Sequence, residues 1–187
     1  MTNTGALLFD GASCKKAPVW LSQTYPEHSL RPLLHGTQYQ ALADIGPILL
    51  DAEEGSALHN AWLQGSSDLQ HAVWLKTAVS LDRLRTSLMQ RLRILSPDGR
   101  EFWLRLADAR PLLDAWHAQV QWPAGFWYGI TEIWLRNQEE PFNAWRNETP
   151  ERDCTIASRD MSAQIVLDWP LLQALAQDKE STPEAAV

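Results

Sequence analysis

Cysteine is scarce in this chain: Cys14 and Cys154 are the only two among 187 residues. Two thiols cannot build a disulfide framework, and their separation matches no metal-binding spacing. Long apolar runs are missing as well. None approaches the roughly 20 residues that a membrane-spanning helix needs, and Met1 to Ala12 lacks the basic start and apolar stretch of a secretory signal. These absences point to a cytoplasmic, reducing home and away from membrane insertion. Surplus positive charge is lacking too. The 16 basic and 23 acidic side chains give a net charge of −7, which argues against a nucleic-acid partner, because phosphates need cations to neutralise them.

Catalytic signatures are absent in the same way. The five histidines (His28, His35, His59, His71 and His117) include no pair at the i, i+4 spacing of a helical metal site and no H-E-x-x-H. There is no G-x-S-x-G elbow, no G-x-G-x-x-G and no phosphate loop. Cys14 with His28 or His35 is conceivable as a thiol–imidazole pair, but a lone cysteine opening a helix is more often a small packing residue. Asp10, Asp44, Asp51, Asp98 and Asp108 fall at strand ends or turns, where carboxylates commonly cap helices. The expectation is a protein that is not an enzyme, with no catalytic residue, no metal and no cofactor.

What is present suggests a folded α/β chain. At 45% hydrophobic and 21% charged residues it is globular in composition. The continuous apolar runs Ala6 to Phe9, Gly46 to Leu50 and Ala72 to Leu75 read as buried strands bounded by turn residues. Ser80 can cap a helix with Leu81, Leu84, Leu88 and Leu92 on one side and Arg83, Arg85 and Arg91 elsewhere. Ser96-Pro97-Asp98-Gly99 between Arg93-Ile94-Leu95 and Glu101 to Leu106 predicts a hairpin. In its second strand Phe102, Leu104 and Leu106 would share one face, Trp103 and Arg105 the other. Asp108 can cap a helix whose inner side carries Leu112, Leu113, Trp116 and Val120. Gly129 to Leu135 reads as a further strand.

The predicted fold class is α/β in the mixed α+β sense: a single lobe over residues 1–136 with a central mixed sheet flanked by helices. Residues 137–187 would form an acidic C-terminal extension. The first segment carries 12 basic and 13 acidic side chains, the second 4 and 10. The extension offers a strand-like Gln164 to Leu167, a short helix opened by Asp168-Trp169-Pro170, and a frayed end from Asp178. Its apolar residues suggest that it folds back on the body or docks on a partner.

Two features rise above background. Residues 82–110 hold seven arginines against four acids, net +3, which reads either as a docking face for an acidic partner or as a solvated helix-and-hairpin face. The other is the set of ten tryptophans. Trp62, Trp74 and Trp116 lie on apolar faces and read as core, whereas Trp103, Trp127, Trp134, Trp145 and Trp169 have weaker structural excuses and could mark an interface. Arg83, Arg85, Arg91, Trp103, Trp127 and Trp134 are the resulting candidates for partner binding.

The ordered motifs also carry a resemblance. They are Leu7-Leu8-Phe9-Asp10-Gly11-Ala12, Ser29-Leu30 with Leu34-His35-Gly36-Thr37, Ala43-Asp44-Ile45-Gly46-Pro47-Ile48-Leu49, Trp62-Leu63, Leu88 to Leu95, and Leu104-Arg105-Leu106-Ala107-Asp108-Ala109-Arg110. Over roughly residues 5–135 this set resembles the adaptor-chaperone domain of bacterial type VI secretion, the Tap/TEC adaptors. The resemblance implies a non-enzymatic protein that binds a secreted toxin effector in the cytoplasm and helps load it onto the spike-tip (VgrG/PAAR) proteins. It implies an α/β body followed by a variable helical region that helps select cargo. This sequence departs from the pattern in having Ala109 where the family usually has proline, and in its short C-terminal region. Asp44, Gly46, Pro47, Arg105 and Asp108 read as turn-fixing and ion-pairing residues rather than as a binding site. From the residues alone, a carbohydrate-binding module using exposed tryptophans and a small hydrolase with an unrecognised site remain rival readings.

Overall fold

The computed structural model describes residues 4–156 and 160–176. Its core is a six-stranded sheet. In chain order the strands are β1 (Thr4–Asp10), β2 (Leu30–Pro32), β3 (Pro47–Asp51), β4 (Val73–Thr77), β7 (Ile130–Arg136) and β8 (Pro141–Arg146). They lie in the order β2-β3-β1-β4-β7-β8. A separate hairpin joins β5 (Arg93–Leu95) to β6 (Glu101–Trp103), and the helices are α1 (Ala17–Thr24), α2 (Ala57–Leu63), α3 (Leu81–Met89), α4 (Ala109–His117) and α5 (Trp169–Leu175).

The apolar runs are continuous because both faces of the sheet are covered. Successive strand side chains point to opposite faces. Accordingly Ala6 and Leu8 of β1 enter one apolar cluster with Leu84, Leu88, Leu112 and Leu171 of α3, α4 and α5. Leu7 and Phe9 enter another with Leu21 of α1 and Leu58 and Trp62 of α2. The same alternation splits Leu49 from Ile48 and Leu50 in β3, and Val73 and Leu75 from Trp74 in β4. The result is three layers, helices on each side of one sheet.

The mixed α+β class is what the structure shows, with one correction in the sheet. A mixture of parallel and antiparallel strands is predicted, yet every pairing in it is antiparallel. The chain passes from β3 through α2 to β4, two strands running the same way, but β1 is inserted between them and runs against both.

Local signals produced the expected caps. Ser80 Oγ accepts the Arg83 N–H, Asp108 accepts that of Arg110, and Asp168 accepts that of Leu171. The Pro-Asp-Gly turn closes the hairpin, with Gly99 at φ 82° and its N–H on the Ser96 carbonyl at 2.9 Å. The second hairpin strand is shorter than predicted. It ends at Trp103, so the two-face alternation fails beyond it: Phe102 is exposed while Leu104 and Leu106 are buried.

The 136/137 boundary falls inside the β7–β8 hairpin, because Phe142 and Trp145 pair with Leu135 and Ile133. Beyond Arg146 the chain does return to the body. Gln164 to Leu167 lies beside β5 through a parallel bridge between Leu95 and Val166, and α5 packs on α4. The predicted fraying from Asp178 lies outside the described residues. Within them, no helix is long and apolar enough to cross a membrane.

Candidate functional site

An apolar groove lies at the end of β1. Its first wall is the turn after Asp10, where the carboxylate accepts the Ala12 N–H at 3.0 Å. Gly11 then donates to the Gly46 carbonyl at 2.9 Å. A Cβ on Gly11 would sit 2.6 Å from the carbonyl oxygens of both Asp44 and Gly46. Only glycine lets these two loops touch.

The second wall is the loop before β3. The Ile45 and Gly46 N–H groups both return to the Leu42 carbonyl, forming a tight turn that leaves Leu42 and Ile45 pointing outward, 44% and 57% exposed. The third wall runs from Trp103 to Asp108. Trp103 is 50% exposed yet held in place: Tyr39 meets it edge-on at 4.9 Å, and the Arg93 guanidinium lies 5.8 Å from its ring. Arg93 also donates to the Tyr39 hydroxyl at 2.8 Å and pairs with Glu101. Leu34, Leu92 and Leu104 supply the floor, and the cavity measures about 420 Å³.

An ionic clasp ties the first and third walls together. Arg105 reaches Asp108 at 2.7 Å and Asp10 at 3.5 Å, and Arg110 reaches Asp108 at 2.9 Å. Burial raises the Asp108 pKa, but hydrogen bonds from the Arg110 side chain and backbone, with the Arg110 and Arg105 charges, outweigh it. The carboxyl is held below its ordinary range. Arg105 and Asp108 therefore serve ion pairs and a helix cap, and Gly46 a turn, as their sequence context suggests; Asp44 lies in that same turn. What sequence reasoning missed is that these turns converge, and that Ile45 and Leu42 between them become contact surface.

The predicted docking residues do not assemble into one face. Arg91 is buried: its Nε donates to the Phe126 carbonyl, Nη1 to Ser87, and Nη2 to the Gly125 carbonyl and Asp153. Helix α3 ends at Met89, so the helical spacing that puts Arg91 on an outer face does not reach it. Trp127 is buried among Trp122, Phe126 and Trp145. Trp134 is half-buried against Trp74, its Nε1 donating to Glu132. Arg85 is half-buried and spends its guanidinium on the carbonyls of Pro32, Leu33 and His35. Arg83 is exposed and donates to the Tyr128 hydroxyl. Of the six, Trp103 alone lines the groove. Trp62 and Trp74 are core as expected, but Trp116 is 39% exposed.

Cys14 is not an activated thiol. Burial and the nearby Asp68 push its pKa up, the reverse of what a nucleophile requires. His28 instead directs Nδ1 to the Asp51 carbonyl at 2.6 Å. Among the described residues no three His, Cys, Asp or Glu side chains gather as metal ligands. The groove's chemistry is contact: apolar walls with a guanidinium at the mouth.

A family profile described as a domain of unknown function, DUF4123, matches residues 7–122, more than half of the chain. The chain belongs to the DUF4123 family. No curated protein and no solved structure matches it. Every wall of the groove falls within the DUF4123 span, whereas β7, β8 and α5 lie beyond it. The groove is thus a feature of the DUF4123 part of the molecule.

Proposed function

We propose that this chain is a non-enzymatic adaptor chaperone that binds a type VI secretion effector in the bacterial cytoplasm and helps load it onto the spike (VgrG/PAAR) complex. Membership of DUF4123 and the motif resemblance to the Tap/TEC adaptors support the reading. The observation that carries it is the groove: an apolar cavity built by those same motifs, flanked by three exposed large side chains, Leu42, Ile45 and Trp103. A folded protein rarely leaves such residues clustered on its surface without a partner.

The mechanism is shielding. Apolar side chains of the cargo enter the groove, each full burial stabilising the complex by about 1.5–3 kcal/mol. The Arg105 clasp joins the first and third walls and the Gly11–Gly46 hydrogen bond joins the first and second, so little ordering cost falls on binding. No covalent step and no nucleotide is needed.

Co-expression with effectors encoded beside this gene should give a complex that survives gel filtration, and Ile45→Asp should abolish it while the variant stays folded. Failure to recover any complex with such effectors or with a spike protein would overturn the proposal.

A further inference from the structure

Among the described residues, β2 and β8 end the large sheet and β6 ends the hairpin, each with one side unpaired. An open strand side is a template for a further strand, and proteins ordinarily blunt it with proline, a bulge or short length. β2 carries Pro32, and β8 begins with Pro141 and shifts register beside Ile133 and Trp134. β6 has neither proline nor bulge. It is short, yet all three of its residues are exposed, Phe102 by 39% and Trp103 by 50%.

The ladder to β5 fixes which backbone groups of β6 face outward. The Leu104 N–H donates to the Leu92 carbonyl at 2.7 Å, and the Arg100 carbonyl accepts the Ser96 N–H at 2.9 Å. Along a strand, N–H and C=O groups alternate between its two sides. Arg100, Phe102 and Leu104 therefore bond toward β5, and the N–H and C=O groups of Glu101 and Trp103 point away from it. Arg105 continues the side-chain alternation, 60% exposed between the buried Leu104 and Leu106.

The run Glu101-Phe102-Trp103-Leu104-Arg105 is complementary to its own reverse. Paired antiparallel about Trp103, Glu101 falls opposite Arg105, Phe102 opposite Leu104, and Trp103 opposite Trp103. Centring the pairing on Glu101 or on Arg105 would set like charges opposite each other, which destabilises a sheet. The Glu101 side chain is 47% exposed, and Asp108 keeps Arg110 when Arg105 turns outward.

We infer that β6 pairs antiparallel with the β6 of a second copy of this chain, centred on Trp103. The outward N–H and C=O groups of Glu101 and Trp103 find partners across a twofold axis, and the two Glu101–Arg105 pairs set the register. The pairing merges the two hairpins into one sheet. The paired strands are short, so the dimer is weak and depends on concentration.

Sedimentation equilibrium of the full chain should show a reversible dimer with a Kd on the order of 100 µM. Glu101→Pro removes an outward N–H and no bond to β5. It should stay folded by thermal melting yet weaken dimerisation at least about tenfold, whereas Glu101→Gln, which keeps the edge, should weaken it less. Glu101→Arg and Arg105→Glu should each be monomeric, and an equimolar mixture of the folded variants should form a heterodimer, because each arginine then meets a glutamate. A wild-type chain still monomeric at about 500 µM, a Glu101→Pro variant that dimerises like wild type, or a mixture that associates no better than its components overturns the inference.

Discussion

Arg91 and Arg105 come from the same arginine-rich stretch, and each meets an aspartate at 2.7 Å. Their surroundings are inverted. The Arg91 side chain is 1% exposed while its partner Asp153 lies nearer solvent, whereas Arg105 is 60% exposed over an Asp108 that is 2% exposed. At Arg91 the guanidinium is consumed inside the molecule, stitching α3 to the 125–126 turn and to the incoming tail. At Arg105 the carboxylate is the consumed partner, capping α4, and the guanidinium stands at the mouth of the groove. The difference shows that charge in a sequence does not mark a docking face. Which member of a pair is buried decides whether it closes the fold or frames a site.

The largest expected effect is at Arg91. Arg91→Met should cost about 3 kcal/mol in urea unfolding, because it deprives the Ser87, Gly125 and Phe126 carbonyls of the guanidinium that satisfies them. A cost equal to that of Arg105→Met would break the comparison. Asp108→Ala comes next, at about 2 kcal/mol, from loss of the α4 cap and of a buried acceptor.

The pH dependence follows from the same carboxylates. Asp108 and Asp153 are both held below the ordinary carboxylate range, in each case by hydrogen bonds and arginine charge that outweigh burial. The stability these two carboxylates contribute should therefore be level from neutrality down to about pH 4 and be lost as pH drops further, through the depressed values, while His59 and His71, held below the ordinary imidazole range chiefly by burial, already cost stability below about pH 6.5. Calorimetry should show a shallower acid loss for Asp108→Ala than for wild type. An identical profile would remove Asp108 from the account.

Arg105→Met should cost about 1 kcal/mol or less, since exposed pairs contribute little and Asp108 keeps Arg110. The smallest stability effect should come from Ile45→Asp, within about 0.5 kcal/mol. The same change should weaken cargo binding about 30-fold or more if Ile45 is an anchor residue. Calorimetric titration beside thermal melting separates the two.

Much of the fold is legible from local chemistry. The runs at β1, β3 and β4, the caps at Ser80, Asp108 and Asp168, and the Pro-Asp-Gly hairpin each depend on a few neighbouring residues. β8 is not legible, since Pro141-Phe142-Asn143-Ala144-Trp145-Arg146 alternates poorly and becomes a strand only by pairing with β7. Trp116 has the spacing of a core residue, but the inner side of α4 is filled by Leu112 and Ala115, leaving Trp116 over Phe142 at the margin.

The groove shows the same division. The turn residues around Asp10, Asp44 and Asp108 can be read from the sequence because turn geometry is set by the residues that make it. Their convergence cannot, because it depends on Gly11 meeting Gly46 and on Arg105 meeting Asp10 across long stretches of chain. By itself the sequence determined strands β1, β3 and β4, the helix caps at Ser80, Asp108 and Asp168, and the motif set of the family. Only the tertiary structure decided that Arg91 and Trp127 are interior and that Leu42, Ile45 and Trp103 share one cavity. Burial is a property of what the rest of the chain places around a side chain, and no local pattern encodes that.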